Sequence, residues 1–458
     1  MIRDAHAVVW TRLSGSPVKM GELHVTESES RFVYDLSFLD TGLPGLGLVL
    51  SPKIYGQNTI RWSRTERFNF HPPIQSLIPP SGEHNFQRRL IMNYLATIGV
   101  TEGSDFDNDW NILTFSGHGG IGHIDVFSSD EKAVRWYATP TMPQQDFLKK
   151  KSTLGFSLKN MLTWYEDETG YLLDFIGPTP SVNGAIPKLL LSIPKSGWNG
   201  QVGLPTRFGD TQSTDIILKL EKDTAYPGIV ELEALGLDIH SKAGFQTPRY
   251  WTTEFEGIHA IAIERFDRDE HNNPVFQESL FSILASGNRN IHNHYDASYD
   301  QIGRMFDNPR LTLIDDRRAA KKHLLKRLLI SFLTGNGDLH LENMSLQIRN
   351  GITDFSPVYD PVPMRAYPIH NILSAMPFGH YGEYINKQDK PVGFTQAIER
   401  FNHSLGFDKN RLTGIINELL NITEDFPQRV KVLKTLPEQN KKLLINIHRD
   451  IKRKMSEI

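Results

Sequence analysis

Short runs of alternating hydrophobic and polar residues fill the first part of the chain, and Gly and Pro residues separate them. Such alternation over five to eight residues predicts β-strands bounded by turns. The predicted strands are Ala7–Trp10, Lys19–Val25, Arg31–Leu36 and Gly122–Val126. One longer segment, Glu83–Ile98, has the pattern of a helix.

The β-type pattern continues to about residue 268. Runs rich in leucine and β-branched residues, which are typical of strands, occur at Leu189–Ile193, Asp215–Leu220 and His259–Glu264. A helix is predicted between them, over Gly228–Ala243.

Helical periodicity dominates from about residue 270 onward. The predicted helices are Ala319–Thr334, Thr395–Ser404, Asn410–Leu420 and Pro437–Met455. The first of them is too apolar for a surface helix, so we expect it to be the buried central helix of its lobe.

These patterns predict an α+β, bilobal fold with a β-rich N-terminal region and an all-helical C-terminal lobe. We place the domain boundaries at residues 1–145, 146–268 and 269–458. Polar motifs lie at the join between β-rich and helical regions, and ligands often bind in clefts between lobes.

Composition narrows the class of protein. The chain has 458 residues, a formal net charge of -3 and no cysteine. The nearly balanced charge does not indicate a general attraction to nucleic acid or membrane, and disulfides and thiolate metal sites are excluded. No run approaches the ~18 consecutive apolar residues of a membrane span, and the first residues lack the apolar core of a signal peptide. We therefore expect a cytoplasmic protein.

The strongest chemical motif directly follows the predicted buried helix. In Gly335-Asn-Gly-Asp-Leu-His-Leu-Glu-Asn343, Asp338 precedes Asn343 by five positions. This is the spacing of a kinase catalytic loop, in which the Asp accepts the substrate hydroxyl proton and the Asn holds Mg²⁺. Asp360, after a predicted strand, supplies a second hard oxygen ligand. The alternative is a polar loop that only caps a helix and closes a turn.

A second feature is a lysine within an apolar strand. Lys219 is difficult to bury without a partner, and Glu233 lies on the helix that follows. A strand lysine paired with a helix glutamate is the kinase arrangement for holding the α- and β-phosphates. The alternative is a lysine at a strand edge with its ammonium in solvent.

Two further stretches are weaker signals. The small-residue loop at residues 179–188 could present backbone N–H groups to phosphates, although most such stretches are simple turns. The apolar strand ending at Glu264-Arg-Phe-Asp-Arg268 lies where a hinge between lobes would run. An ordinary strand end with a salt-bridged turn is the alternative.

Taken together, these elements resemble the HipA family, the kinase toxins of bacterial type II toxin–antitoxin systems. The resemblance rests on five motifs that occur in the family's order, and it extends to the N-terminal region through Gly21-Glu-Leu23 and the glycine loop at residues 117–122. The motifs are Ser181-Val-Asn-Gly-Ala-Ile-Pro-Lys188, Ile217-Leu-Lys-Leu220, Glu264-Arg-Phe-Asp-Arg268, Gly337-Asp-Leu-His-Leu-Glu-Asn343 and Tyr359-Asp360.

The resemblance implies a serine/threonine protein kinase that uses ATP and Mg²⁺. By that resemblance, Asp338 is the catalytic base, and Asn343 and Asp360 bind Mg²⁺. Nucleotide-binding roles are implied for a larger set of residues. They are Lys219, Glu233, Glu264, Phe266, Asp267, Val182, Asn183, Gly184, Ala185 and His340.

The family also implies regulation and partners. Ser181 matches a serine whose autophosphorylation ejects the phosphate-covering loop and inactivates the kinase, and a phosphate adds about -1.5 to -2 charges there. The expected partners are a protein substrate, for instance an aminoacyl-tRNA synthetase or another translation factor, and a HipB-like helix-turn-helix antitoxin. DNA would be contacted only indirectly, through the antitoxin.

Two alternatives stay open. Gly337 precedes the catalytic Asp where the family commonly has Asp or Thr, and the run from Asn336 to Asn343 also resembles the loop of aminoglycoside and choline kinases. A small-molecule kinase is therefore one alternative. The other is a non-catalytic corepressor partner of a DNA-binding antitoxin, because the family also includes complexes in which the kinase chain helps the antitoxin to grip DNA. The pairs His118 and His123, and His292 and His294, are expected to be structural or surface histidines rather than metal ligands.

Overall fold

The computed structural model of the chain contains two compact units. The first, called the sheet unit, comprises residues 1–222, 249–278 and 285–287, and the second, called the helical unit, comprises residues 223–248, 279–284 and 288–458. The structure describes residues 4–65, 68–81, 85–138, 156–157, 188–198, 201–203, 205, 213–221, 225–255, 258–309, 311–384 and 390–458.

A five-stranded antiparallel sheet forms the first part of the sheet unit. Its strand order is β4-β3-β2-β1-β5, and side chains on β3 and β4 alternate between buried and more exposed positions. The strands are β1 (Ala5–Thr11), β2 (Val18–Val25), β3 (Glu29–Tyr34), β4 (Thr59–Ser63) and β5 (Asp125–Phe127). The helices are α1 (Leu36–Leu39), α2 (Pro52–Tyr55), α3 (Pro72–Gln75), α4 (Phe86–Thr97), α5 (Asp105–Ser116) and α6 (Asp130–Ala138).

A four-stranded sheet carries several of the predicted site residues. Its order is β10-β11-β9-β7, and its pairs are antiparallel. The strands of this part of the unit are β6 (Phe156–Ser157), β7 (Lys188–Pro194), β8 (Gln201–Val202), β9 (Ser213–Glu221), β10 (Tyr250–Phe255), β11 (Ile258–Glu264) and β12 (Phe276–Ser279). Strand β6 pairs with β8 in a separate two-stranded sheet.

The helical unit is built around one buried helix. Helix α10 (Arg317–Thr334) buries all its side chains from Leu324 to Thr334, which confirms the prediction of a central helix. The other helices are α7 (Ile229–Lys242), α8 (Leu280–Gly287, which continues from β12 and ends in the sheet unit), α9 (Tyr299–Met305), α11 (Phe394–Ser404), α12 (Lys409–Ile422), α13 (Phe426–Lys431) and α14 (Glu438–Met455).

The C-terminal region is not entirely helical, which corrects one part of the predicted fold. Strands β13 (Ser345–Arg349) and β14 (Ile352–Phe355) form a hairpin in which Arg349 is opposite Ile352. The two turn residues, Asn350 and Gly351, have φ of 52° and 78°. Positive φ at both positions of a two-residue turn matches the strand twist, and Asn-Gly is the preferred pair.

Two strands have bounds in the structure that differ from the predicted ones. The strand predicted to reach Leu36 stops at Tyr34, because the Asp35 carboxylate accepts the Ser37 N–H and starts α1. The strand predicted from Gly122 begins at Asp125, because Gly122 has a φ of 85°, outside the extended region. No helix in the described ranges is both long and apolar enough to cross a bilayer.

Candidate functional site

The predicted catalytic loop begins where α10 ends. Gly335 closes the helix with a φ of 76°, and the Asn336 N–H donates back to the Ser331 carbonyl at 2.8 Å. A glycine at this left-handed position is the common way to end a helix. The Asn336 side chain then accepts the Asp338 N–H at 3.0 Å, so the chain turns sharply into the loop.

Asp338 and Asn343 are held together by the loop's own hydrogen bonds. The Asn343 amide nitrogen donates to the Asp338 carbonyl at 2.8 Å, and the Asn343 backbone N–H donates to the His340 carbonyl at 3.0 Å. Asn343 is buried, whereas the Asp338 side chain is 43% exposed. Because the amide nitrogen is used inside the loop, the amide oxygen is the atom that can serve as a ligand.

Asp360 is brought to the same loop by the residue before it. The Tyr359 hydroxyl donates a 2.6 Å hydrogen bond to the Glu342 carbonyl, so the neighbours of Asp360 and Asn343 are in contact. Asp360 has a φ of 51°, a left-handed conformation that costs free energy in a residue with a Cβ. Strained backbone of this kind is often found at functional sites.

The donor set formed by Asn343 and Asp360 fits Mg²⁺. Magnesium prefers oxygen ligands and is usually held by one or two carboxylates together with nucleotide phosphates. An amide oxygen and a carboxylate on two segments joined by a hydrogen bond match that preference.

His340 lies beside Asp338 in an aromatic cluster. Its Nδ1 accepts the Glu342 N–H at 3.2 Å, and its Nε2 is 3.9 Å from a carboxylate oxygen of Asp338. The ring centroids of His294 and Tyr295 are 4.2 and 5.4 Å from that of His340. The sequence alone did not connect His294 or Tyr295 with the predicted catalytic loop, because they precede it by 40 residues or more.

One nitrogen or oxygen atom from each of His294, His340 and Glu342 lies within 4.8 Å of the others. This spacing could accommodate a cation. Both ring nitrogens of His340 also face hydrogen-bond donors of the protein, because Nδ1 accepts the Glu342 N–H at 3.2 Å and the Asn343 amide nitrogen lies 3.4 Å from Nε2.

Glu233 is buried in α7, in the helical unit. One turn further along the same helix, Gly236 packs so closely on Pro361 that a Cβ at Gly236 would lie 2.1 Å from the Pro361 carbonyl oxygen. Helix α7 therefore packs directly against the segment that follows Asp360. Gly236 is the residue that allows this approach.

Lys219 lies in the sheet unit, on β9, and is 5% exposed. In the sheet register it is directly opposite Lys188 on β7, which is also 5% exposed. Residues opposite each other in an antiparallel pair lie on the same face, and like charges there repel. Two buried lysines therefore lie opposite each other on one face of the sheet, and Lys188 was not singled out from the sequence because the strand register was unknown.

The predicted hinge stretch lies at the end of β11. The Glu264 carboxylate forms a bidentate pair with Arg249, with N–O distances of 2.6 and 2.8 Å. The backbone N–H of Glu264 donates to the Arg249 carbonyl, and that of Arg265 donates to the Asp215 carbonyl. An adenine contact in this stretch would therefore involve the Glu264 carbonyl and the backbone of half-buried Phe266.

The Asp267 carboxylate is buried in an ionic cluster. It accepts hydrogen bonds from Arg265 at 2.7 and 3.0 Å, from Arg268 at 3.0 Å and from the Gly122 N–H at 2.9 Å. Burial alone would raise the pKa of Asp267, but the two guanidinium groups and the Gly122 N–H hold that pKa well below its ordinary value. Burial lowers the pKa of Arg268 to about 10, and neighbouring Arg265 contributes to that shift.

The same arginines bind the glycine loop that the sequence places in the N-terminal region. Arg265 and Arg268 donate to the Gly120 carbonyl at 2.5 and 2.7 Å, and Arg268 also donates to the Gly122 carbonyl at 3.0 Å. The ionic cluster therefore joins the loop at residues 117–122 to the hinge stretch, within the sheet unit. The ribose contact predicted for Asp267 stays a prediction.

The local structure explains why a glycine occupies position 337, where the sequence departs from the HipA pattern. A Cβ at this position would lie 2.4 Å from the Ile372 carbonyl oxygen and 3.1 Å from the Arg365 side chain. Because only glycine fits this approach without movement of the backbone, Gly337 need not indicate a small-molecule kinase.

The phosphate-covering loop lies outside the described residues. Ser181, Val182, Asn183, Gly184 and Ala185 all belong to it, and their predicted roles stay predictions.

Three comparisons with known proteins place these observations in context. The family model for the HipA-like C-terminal domain matches residues 180–426, which is more than half of the chain. A Haemophilus influenzae protein named "Putative kinase" is 27% identical over 276 residues, covering 54% of this chain and 74% of that protein. The Sinorhizobium fredii protein named "Putative kinase Y4dM" is 27% identical over 150 residues, covering 30% of this chain and 34% of that protein.

A solved structure has the same fold over almost the whole chain. It is a chain from the complex of Shewanella oneidensis HipA, HipB and operator DNA, with a TM-score of 0.63 and 18% identity. The match covers 98% of this chain and 97% of that chain, and it confirms the predicted HipA-like α+β fold. Since the family model also spans the catalytic loop and both predicted metal ligands, the chain belongs to the HipA-like C-terminal domain family.

Proposed function

We propose that this protein is an ATP- and Mg²⁺-dependent serine/threonine protein kinase that acts as a HipA-like toxin. The observation that carries the proposal is the connection between the two predicted metal-binding segments. Asn343 is hydrogen-bonded to the Asp338 backbone, and Tyr359 joins the Asp360 segment to Glu342. A base and two oxygen ligands organised in this way are what phosphoryl transfer requires.

The helical unit supplies the groups for the reaction. Asp338 accepts the proton of the substrate hydroxyl, and its 43% exposed side chain leaves room for that hydroxyl to approach. Asn343 and Asp360 would hold Mg²⁺, which neutralises charge on the nucleotide phosphates when it is bound. His340 would contact the nucleotide beside Asp338.

The sheet unit supplies the groups for the nucleotide. We assign the phosphates to Lys219, and we add Lys188 because it is opposite Lys219 in the sheet. Glu233 keeps the nucleotide-binding role that the family resemblance implies. The adenine would be held by the backbone from Glu264 to Phe266, with Asp267 near the ribose. Val182, Asn183, Gly184 and Ala185 would cover the phosphates.

The proposed biological role follows from the family. The substrate would be a cellular protein, for instance an aminoacyl-tRNA synthetase or another translation factor. Its phosphorylation would take place in the cytoplasm and would arrest cell growth. The similar Shewanella oneidensis structure contains HipB and operator DNA, which supports a HipB-like antitoxin as the partner of this chain. Contact with DNA would then be made through that antitoxin.

Intact mass measurement and phosphopeptide mapping after incubation with Mg-ATP test this proposal. We expect wild type to gain phosphate on Ser181, and Asp338→Asn, which keeps the side-chain shape, to gain none. Glu424→Gln, which neutralises an exposed acid on the helical unit, should label like wild type. Ser181→Ala should lose the self-labelling and retain transfer to protein in a cell lysate.

Two other results would contradict the proposal. Phosphate transfer to an alcohol or amino sugar, with no protein labelled, would instead indicate a small-molecule kinase. Nucleotide binding with no transfer at all would indicate a non-catalytic corepressor partner of an antitoxin.

A further inference from the structure

Three potential metal ligands lie on one face of the five-stranded sheet. His6 on β1 is directly opposite His24 on β2, and Glu22 precedes His24 by two positions on the same strand. Residues opposite each other in an antiparallel pair share a face, as do residues two positions apart on one strand. Leu23 and Val25 on β2 are buried, so the two histidines and the glutamate lie on the more exposed face of this strand pair.

The distances among the three side chains match those of a metal site. The Nε2 atoms of His6 and His24 lie 3.2 and 3.4 Å from the same Glu22 oxygen, Oε2, and one ligand atom from each residue lies within 4.8 Å of the others. Zinc binds histidine nitrogen and carboxylate oxygen at about 2.0–2.2 Å, which places two ligand atoms of a tetrahedral ion about 3.3–3.6 Å apart. The three atoms can therefore surround one ion with only small movements of the side chains.

The Glu22 carboxylate is held in place by a chain of hydrogen bonds. Its second oxygen, Oε1, accepts from the Lys19 ammonium at 2.9 Å, and the same ammonium donates to Asp130 at 2.8 Å. The Trp10 indole N–H donates to the other Asp130 oxygen at 3.0 Å. This network uses Oε1 and keeps Oε2 towards the histidines, and outer partners of this kind orient the ligands of metal sites.

The chemistry of the three ligands indicates the class of ion. Two imidazoles and one carboxylate suit Zn²⁺ and related transition metals, whereas Mg²⁺ and Ca²⁺ prefer oxygen ligands. The positive charges of Lys19 and of Arg31, which is opposite His24 on β3, offset the negative charges of Glu22 and Asp130. Binding therefore depends on coordination by the histidines rather than on a general attraction for cations.

We propose that His6, Glu22 and His24 form a binding site for a divalent transition-metal ion such as Zn²⁺. An ion bound there links β1 to β2. The three side chains are 46, 40 and 35% exposed, so an ion can reach them from solvent. Three protein ligands leave the fourth tetrahedral position for a water molecule. The site shares no residue with the predicted Mg²⁺ ligands, Asn343 and Asp360, and it does not rest on the proposed kinase function.

Calorimetric titration of the full chain with ZnCl₂ tests the inference, after removal of any affinity tag, treatment with EDTA and dialysis. The buffer contains millimolar MgCl₂, so that Mg²⁺ competes at the predicted Asn343 and Asp360 site. We expect an ion to bind with a Kd of about 1–10 µM. Because His6→Gln and His24→Gln each remove one of three ligands, each should weaken this binding by about tenfold or more.

Two other histidines provide matched controls. His259 Nδ1 lies 3.8 Å from a Glu254 carboxylate oxygen in the same unit, so His259→Gln removes a histidine that has a glutamate beside it. His294→Gln changes the three-residue cluster beside the predicted catalytic loop. Both variants should bind Zn²⁺ as tightly as wild type, and loss of the ion in His294→Gln alone would place it in that other cluster and overturn the inference.

Thermal unfolding gives a second readout, because a ligand that binds only the folded chain raises the Tm. Zn²⁺ should raise the Tm of wild type and of both controls, and it should leave the Tm of the double variant His6→Gln/His24→Gln unchanged. In EDTA all these proteins should unfold at similar temperatures, which shows that the variants fold. Equal Zn²⁺ affinity in wild type and the double variant, or a wild-type Kd weaker than about 100 µM, would overturn the inference. The three side chains would then form a hydrogen-bonded cluster only.

Discussion

The Tyr359 hydroxyl donates a 2.6 Å hydrogen bond to the carbonyl oxygen of Glu342. Each of these residues immediately precedes a predicted metal ligand, Asp360 or Asn343. The β13–β14 hairpin reinforces this connection, because the Ser356 N–H donates to the Ser345 carbonyl at 2.9 Å and their side chains are 2.7 Å apart. The two predicted metal-binding segments are therefore held together by hydrogen bonds between protein groups.

Tyr359→Phe should weaken Mg²⁺-dependent nucleotide binding. Loss of the hydroxyl leaves the Glu342 carbonyl without this donor, which lowers the free energy of unfolding by about 1 kcal/mol. Because the Asp360 segment is then less well fixed, we expect ATP affinity to fall several-fold with Mg²⁺ present and to change little in EDTA. Calorimetric titration with and without Mg²⁺ measures both.

Tyr367→Phe is the matched control for this variant. The Tyr367 hydroxyl donates to the Pro227 carbonyl at 3.1 Å, also within the helical unit. It should reduce stability by a similar amount and leave Mg²⁺-dependent binding unchanged. An equal loss of Mg²⁺-dependent affinity in both variants would contradict a specific role for Tyr359.

Lys188 and Lys219 should act as one phosphate-binding pair. Replacement of either residue by Met should reduce ATP affinity about tenfold or more, because each replacement removes a positive charge from the same face of the sheet. The effects of the two changes should not be additive, because the lysines are neighbours. Titrations with ATP and with adenosine measure the effect, and only ATP binding should respond.

Lys195→Met is the control for the lysine pair. Lys195 follows β7, and its ammonium makes an exposed contact with the Glu270 carbonyl at 3.4 Å. If Lys188→Met binds ATP as tightly as Lys195→Met does, the assignment of Lys188 to the phosphates is wrong.

Asp267→Asn should destabilise the sheet unit strongly. Removal of the buried negative charge leaves Arg265 and Arg268 without their ionic partner, and the loss of a buried partner costs about 3–5 kcal/mol. Chemical denaturation followed by circular dichroism at pH 7 measures this change. If Asp267 also contacts the ribose, the folded fraction of the variant should bind ATP more weakly, and otherwise its affinity should match wild type.

The pH dependence of stability follows from the same carboxylate. The pKa of Asp267 is lowered in the folded protein, whereas in the unfolded chain it is about 3.9. The stabilisation is therefore complete above that unfolded value and is lost as the pH falls below it. Between about pH 5 and pH 3, wild type should lose more stability than Asp267→Asn, and parallel curves would contradict the assignment.

Two glycine substitutions should have opposite effects on stability. Gly337→Ala places a Cβ 2.4 Å from the Ile372 carbonyl oxygen, so the predicted catalytic loop must shift. We expect the free energy of unfolding to fall by about 1–3 kcal/mol and phosphate transfer to be lost. Gly414 lies within α12 with no atom within 4 Å of the added Cβ. Gly414→Ala should therefore stabilise the protein by about 0.5–1 kcal/mol and leave activity unchanged, as thermal unfolding and transfer assays would show.

The local pattern of hydrophobic and polar residues alone determined most of the helices and strands. The apolar run before Gly335 predicted the buried helix, because helix periodicity is encoded in neighbouring residues. The spacing of Asp338 and Asn343 is equally local, and the catalytic role that it predicts stays a prediction. The Asn350-Gly351 pair is an equally local indication of a hairpin, and the prediction of an all-helical lobe did not take it into account. The position of Lys219 within an apolar strand is likewise encoded in its immediate neighbours.

Tertiary structure decided which distant residues meet. The register of β7 and β9 places Lys188 opposite Lys219, and packing brings the loop at residues 117–122 onto Asp267. The rings of His294 and Tyr295 lie against His340 of the predicted catalytic loop. These contacts join segments separated by tens to more than a hundred residues. Many pairings of the same strands and loops satisfy the local hydrophobic pattern, and only the burial of the whole core selects one of them.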